Sequence, residues 1–521
     1  MTSKLILTNR TALSRKYGAG IAQIDSAVQG LVAADAARGL ESLYLAVDDA
    51  GAVPQGTVTD PTDQVQNKNT IDFLYKAHNP DYVMLLGSQD VIPHQDLTNP
   101  LFGSADSAFD PDANVASDLP YACENPYSVA ISDFDQITRV VGRLPDVTGG
   151  TDPAYLAGVL GTAAKAVTRP INQYTSYLGV STQNWVNSTQ LSLQRIFRSD
   201  SSVQISPLGG PDWTDQQFAS LVHFFNCHGN PNDPDFYGQL GSSEPVSHRA
   251  ALLAGKLADG TVGAMECCYG AQLFDPGGGQ APMANAYLSS GAYGYLGSTT
   301  VSYGDQFATS CADTLTSLFL TDVLNGASLG RALLQARQAF IQSNGPSLEA
   351  HMAKTLAQFI LLGDPSLQPV VAGESLAPAS AQSPPAQGIN LVTKSGDVLA
   401  RERVYRRREL FRRGLLIKTQ HSFATERRGN SPSRFLHNAL HSLAEERSLV
   451  ETQIISYKAP RKRGADRTIP QRLRRLAPLP NGVHAIFGRR RGESEGHAGV
   501  RLLIVRTLGN RIISFTELHR K

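Results

Sequence analysis

A histidine followed by glycine, and a cysteine pair ending 40 residues after it, are the residues of this chain best suited to covalent chemistry. His228 closes the run FFNCHG (224–229), and Cys267 and Cys268 lie in MECCYG (265–270). A thiol attacks a carbonyl carbon as its thiolate. A neighbouring imidazole can take the thiol proton and later return it to a leaving amine. Gly229 and Gly270 let a peptide backbone come close, and a backbone N–H beside the nucleophile, at Gly229 or Cys268, can hold an oxyanion. Adjacent cysteines are poor disulfide partners, because a bridge prefers Cα atoms further apart. Side chains alternate faces along a strand, so Cys267 and Cys268 cannot share one role.

Both runs are apolar and end in glycine, as strands of an open α/β sheet do where reactive groups collect at the carboxyl ends. The same type of run recurs along the chain. KLILTN (4–9), SLYLAVDD (42–49) and YVMLLGS (82–88) alternate with the helical stretches IAQIDSAVQGLVAADAARG and NTIDFLYKAH. LVHFFNCHG (221–229), TVGAMECCYG (261–270) and AYGYLGSTT (292–300) form a second series, separated by HRAALLAGK and PMANAYLSSG. This alternation predicts an α/β fold with two lobes, residues 1–146 and 147–371, each a mainly parallel sheet flanked by helices, the second lobe catalytic. Residues 372–388, AGESLAPASAQSPPAQG, read as a linker. Residues 389–521 read as a small basic α+β module that closes with a hairpin around LGN.

The net charge of +1 over 521 residues conceals a division. Residues 391–521 hold 29 Lys and Arg against 11 Asp and Glu, and residues 1–390 hold 18 against 35. Such asymmetry marks parts with different partners. The five cysteines contain no CxxC pair, which argues against a thiolate zinc site. The start reads as a first strand and not as a secretory leader. No apolar run approaches the roughly 18–20 residues of a membrane helix. The cytoplasm, where free thiols stay reduced, is the expected compartment.

The pair of runs resembles the clan CD cysteine peptidases, which include caspases, legumains, separases and gingipains. Their pattern is a strand, His-Gly, and a second strand ending in a Gln/Glu-Ala-Cys-x-Gly-like motif. Laid on ECCYG, it places Glu266, Cys267, Cys268 and Gly270 in that order, with Cys268 as nucleophile. The gingipain-type branch fits best. YVMLLGSQDVIP resembles its Gly-Asp and Ile-Pro segment, with Ser88 where Gly-Asp is usual. SDLPYA (117–122), VVGRLP (140–145), GAYGYLGSTTVSYGD (291–305) and LLGDPSLQP (361–369) resemble further family segments, in order, over about residues 4–370. The resemblance implies a cysteine endopeptidase with Cys268 and His228 as dyad and no metal or other cofactor. It implies a protein or peptide substrate, with Arg or Lys at the cleaved position. Glu266, Asp118, Tyr303 and Asp305 are the candidate pocket residues.

Other assignments compete. Asp118 can pair with Arg143 instead of lining a cleft. His223 reads as structural, and His248 falls in an expected helix. Asp233 and Asp235 in NPNDPDF read as turn residues, with calcium binding as the alternative. A catalytically silent scaffold on the same fold is the rival function. The basic tail is a candidate to dock on the catalytic part, as inhibitor or self-cleavage substrate, or to bind an acidic partner such as nucleic acid.

Overall fold

A computed structural model describes residues 2–54, 56–102, 110–198, 203–306, 308–344, 348–373, 440, 449–458, 482–490, 500–508 and 511–520. The strands are β1 Thr2–Thr8, β2 Leu40–Ala46, β3 Tyr82–Leu86, β4 Gln95–Thr98, β5 Asn114–Ser117, β6 Val141–Leu144, β7 Tyr177–Thr182, β8 Val203–Ser206, β9 Val222–Asn226 and β10 His228–Gly229. They continue with β11 Phe236–Tyr237, β12 Val246–His248, β13 Val262–Met265, β14 Gly294–Ser298, β15 Tyr303–Gly304 and β16 Phe359–Gly363. The last four are β17 Leu449–Lys458, β18 Gly482–Arg490, β19 Val500–Leu508 and β20 Arg511–Arg520.

Ten strands form one sheet in the order β2-β1-β3-β6-β16-β14-β13-β9-β7-β8. β2, β1, β3, β6 and β16 are parallel to one another, and so are β14, β13, β9, β7 and β8. Direction reverses only where β16 meets β14. The two strand series expected as separate lobes are thus halves of a single sheet. The joining strand β16 comes from the end of the second series and pairs with β6 of the first. At the seam Gly363 has φ +138° and lies opposite Gly294, and a Cβ on it would stand 2.5 Å from the Tyr293 carbonyl oxygen. Only glycine tolerates that backbone and that approach.

The central strands are buried along their whole length, as strands covered on both faces are. Leu5, Ile6 and Leu7 of β1 are all buried, and every residue of β3, β9 and β16 is buried. One core runs from Leu5 to Val370 through both halves. The crossover helices begin where short polar side chains cap them. Asn9 accepts from the Ala12 N–H ahead of Arg10–Tyr17, and Asp63 from the Gln66 N–H ahead of Gln64–His78. Asp152 caps Pro153–Ala164, with proline at its favoured first position.

Two resemblance segments are tied to others by buried ion pairs. Arg143 donates to Asp118 through Nε (2.9 Å) and Nη2 (2.6 Å), and through Nη1 to the carbonyls of Gly87 and Ile92. Lys4 of β1 contacts Asp364 at 2.7 Å and Asp35 at 2.5 Å.

Beyond residue 373 the described strands β17 to β20 form an antiparallel meander. The hairpin expected around LGN is β19–β20. β20 also pairs antiparallel with β15, with Tyr303 opposite Arg520 and Gly304 opposite His519. Most of the expected linker, residues 374–388, and the basic runs at 401–414 and 461–476 lie outside the described residues. Among the described residues no helix is long and apolar enough to cross a membrane.

Candidate active site

β9 and β13 are parallel neighbours, so the segments that leave their carboxyl ends emerge side by side. The Glu266 N–H still donates to the Phe225 carbonyl at 2.8 Å, extending the ladder one residue past β13. The chain then turns sharply. Tyr269 has φ +55°, a left-handed conformation that costs a non-glycine residue roughly 1–2 kcal/mol. Backbone strain of this kind collects at functional sites.

The two cysteines part at this turn. Cys267 joins the main core, fully buried, with Sγ 3.9 Å from the Phe225 carbonyl oxygen. Burial pushes its thiol well above its ordinary value, so it stays protonated. Cys268 packs instead with Tyr269 and Val301 in a small separate cluster, flanked by Tyr303. Its Sγ, also buried, accepts from the Ser302 N–H at 3.3 Å and lies 3.8 Å from the Ser302 carbonyl oxygen, to which the thiol donates. Burial raises the other three thiols, Cys123, Cys227 and Cys311, each to about 12.

His228 sits in the short strand β10, opposite Tyr237 of β11. Its Nε2 lies 2.9 Å from Gln239 Oε1, which also accepts from Asn184 Nδ2 at 2.7 Å. Glu244 Oε1 is 3.9 Å from the same nitrogen, and the Trp185 ring is tilted against the imidazole at 4.5 Å between centroids. Beside it, Gly229 lies against the backbone of Cys268, where a Cβ at position 229 would come within 2.0 Å of the Cys268 carbonyl oxygen. The two sequence-predicted segments are therefore in van der Waals contact.

The sequence model of peptidase family C25 matches residues 5–370. The chain belongs to peptidase family C25. It is thus a cysteine endopeptidase, a hydrolase of peptide bonds. The match ends after β16 and its following turn, so the β17–β20 meander lies outside the matched residues. No curated protein matches the chain. A solved structure described as "Structure of Protease" aligns with a TM-score of 0.43 at 15% identity, over 71% of this chain and 79% of that chain.

Within this C25 peptidase the candidate pocket residues separate. Glu266 is fully buried and accepts from Thr316 Oγ1 at 2.7 Å, on the helix Ala312–Leu324. Asp118 is likewise buried, held by Arg143 and by His94 Nδ1 at 2.9 Å. This is the pairing with Arg143 that the sequence offers as the alternative to lining a cleft. Asp305 is 8% exposed, and its Oδ1 accepts from the Ala308 N–H at 3.1 Å, which shapes its own loop. Tyr303 is half-buried beside the Cys268 cluster, its hydroxyl donating to Asp110 Oδ2 at 2.9 Å. His223 and His248 both bond the Tyr287 hydroxyl at 2.9 Å and are kept neutral by burial, His223 at about 4. His248 ends strand β12, its ring stacked on Phe225 4.2 Å away in the core, and the helix expected around it is reduced to a 3-10 turn at Ala250–Leu252. Asp233 accepts from the Asp235 N–H and the Tyr237 hydroxyl, and Asp235 from the Ala250 N–H, as turn residues do.

Other residues around the site had no signal in the sequence. Gln239, Asn184 and Trp185 surround His228, and Asp110, Asp112 and Lys354 stand behind Cys268. They come from segments far apart in the chain and match none of the motif fragments. A cleft of about 400 Å³ opens beside Tyr269, and Asp96, Asp112 and Asp275 contribute carboxylates to its lining.

Proposed function

We propose that Cys268 and His228 form the catalytic dyad of this cysteine endopeptidase. The observation that carries the reading is the contact between Gly229 and the Cys268 backbone, with the neighbouring Cys267 thiol sealed in the core. With Nε2 donating to Gln239, the other ring nitrogen of His228 is the one with a lone pair for the thiol proton. The Cys268 thiolate adds to the scissile carbonyl carbon. Negative charge moves to the carbonyl oxygen, where the N–H groups of Gly229 and Cys268 receive it. The imidazolium of His228 protonates the leaving amine as the C–N bond breaks, which leaves a thioester on Cys268. Water, deprotonated by His228, adds to the thioester and expels the thiolate.

Two finer features belong to the same reading. The cleaved bond follows Arg or Lys, which is supported by the carboxylates of Asp96 and Asp275 in the cleft beside Tyr269. The basic tail acts on this site, which is supported by the pairing of β20 with β15, the strand that follows the Cys268 partner Ser302.

Labelling with an acyloxymethyl ketone that carries Arg tests the dyad. The adduct maps to Cys268, is lost in Cys268→Ala and persists in Cys267→Ala. Cys268→Ala and His228→Ala each abolish cleavage while retaining the native circular dichroism spectrum. A Cys268→Ala variant that still cleaves, with a dead Cys267→Ala, would reverse the assignment. No labelling of any cysteine would favour the silent scaffold.

A further inference from the structure

Behind Cys268 stands a charge cluster that no motif announced, with Lys354 and Asp110 buried and Asp112 partly exposed, and its contacts fall on the residue after the thiol and on the residues either side of its partner. Asp112 Oδ1 accepts from the Tyr269 hydroxyl at 2.8 Å, and Oδ2 accepts from the Val301 N–H at 2.9 Å. One carboxylate therefore clips the residue after Cys268 to the residue before Ser302. Asp110 Oδ2 accepts from the hydroxyl of Tyr303, the residue after Ser302. Lys354, fully buried on the helix Ala350–Gln358, holds the set together. Its Nζ is 2.7 Å from Asp110 Oδ2, 2.8 Å from the Val301 carbonyl oxygen and 3.5 Å from Asp112 Oδ2. The backbone adds one direct tie, from the Tyr269 N–H to the Thr300 carbonyl at 3.1 Å.

Ser302 is thus fixed from both sides by side chains that answer to one ammonium group. Its N–H is the group that donates to Cys268 Sγ. A hydrogen bond to the charged form of a group stabilises that form, and its worth depends on donor position to a few tenths of an ångström. Tyr269, held in its left-handed conformation, is the other end of the clip.

We infer that Asp112, with Lys354 as its counter-ion, is a positioning residue that aims the Ser302 N–H at the Cys268 sulfur and holds the strained Tyr269 turn. The inference rests on Cys268 being the nucleophile. Asp112 touches no reacting atom; it acts through Tyr269, Val301 and Ser302. Loss of the clip weakens the thiolate and leaves substrate binding little changed, so the effect falls on kcat.

The test compares Asp112→Ala, Asp112→Asn, Tyr269→Phe and Lys354→Met in the full-length protein. Two readouts are used: kcat and KM on an Arg-containing peptide, and the rate of iodoacetamide modification of residue 268 by peptide mass. Asp112→Ala should lower kcat by about 10- to 100-fold with KM within about threefold, the range of a lost site-orienting interaction. Alkylation of Cys268 should slow in parallel. Asp112→Asn, which keeps one acceptor oxygen, should recover part of both. Lys354→Met, which also leaves the buried Asp110 without its partner, should lower both readouts at least as far as Asp112→Ala, together with thermal stability. Tyr269→Phe removes a single bond and cannot unfold the cluster. It should slow alkylation measurably, and an unchanged rate in this folded variant overturns the inference. So does an equal loss of kcat in Asp112→Ala with alkylation untouched. Failure of the parent reading is seen separately, as residual cleavage by Cys268→Ala.

Discussion

Gly229 and Cys268 are packed so closely that the Cα of one excludes any side chain because of the carbonyl oxygen of the other, 2.0 Å from where a Cβ would stand. Real Cβ atoms do not approach an oxygen so nearly, and here the obstacle is backbone. The glycine beside the histidine is therefore a spacing device between the ends of β9 and β13. Gly229→Ala is expected to push the Cys268 segment away from His228. Peptide cleavage should fall by more than about 100-fold, since an ångström of misplacement has that consequence. The melting temperature should fall by only a few degrees, because the core beneath is untouched. A Gly229→Ala variant with native kcat would show that the backbones can separate without harm.

Asp118 predicts an acid limit. Burial works against its charged form, and the attraction and hydrogen bonds of Arg143 and His94 outweigh that, holding the carboxyl below its ordinary value of 3.8. A carboxylate whose value is depressed in the folded state adds stability above its unfolded value and loses it as pH falls through the folded one. Stability should therefore be flat in this respect near neutrality and decline below about pH 4. Asp118→Asn leaves Arg143 buried without its partner and should cost about 3–5 kcal/mol at pH 7. It should also flatten the decline in acid. Urea unfolding of both proteins from pH 7 to pH 3 measures each part, and a variant as stable as the parent at pH 7 would contradict the structural role.

The tail gives a prediction about access. β20 lies on β15, beside the segment that carries Ser302. An extended peptide substrate adding to the same edge would compete with it. A chain ending at residue 510 lacks β20. It is expected to show a KM for peptides lower by about tenfold, the effect of removing a tethered competitor. Salt should narrow the difference between the two forms, since the basic tail and acidic remainder attract through screened charge. Equal KM values at low and high salt, with no cut after an arginine between 403 and 413, would sink the idea. Salt-dependent binding of the tail to nucleic acid would then be the role to measure.

The strands that carry the chemistry were legible because their apolar runs are buried on both faces and end abruptly in glycine. FFNCHG and MECCYG could be placed at strand ends without coordinates. Strand alternation predicts that Cys267 and Cys268 part; they do part, but at the turn that follows β13, not along the strand. The pocket assignments fared differently. Glu266 and Asp118 are polar residues in recognisable segments, and sequence spacing cannot distinguish a carboxylate facing a cleft from one neutralised in the core. Thr316 and Arg143 decide that, and both come from other segments of the chain. His248 was drawn into a helix by the alanines and leucines after it, while its own ring was claimed by Phe225 and Tyr287.

By itself the sequence determined that the chain is α/β, that the His228 and Cys268 segments follow apolar strands of one series, and that its last part carries the opposite charge to the rest. Those are properties of periodicity, residue type and composition, and each is written locally. Only the tertiary structure decided that both strand series share one sheet, since the seam depends on β16 returning across more than 200 residues to pair with β6. It alone brought Asp112 and Lys354 behind the thiol. Charged residues are buried in pairs because an unpaired charge in the core is too costly, and the partner can lie anywhere along the chain. Here the buried partner of Lys354 is Asp110, 244 residues away.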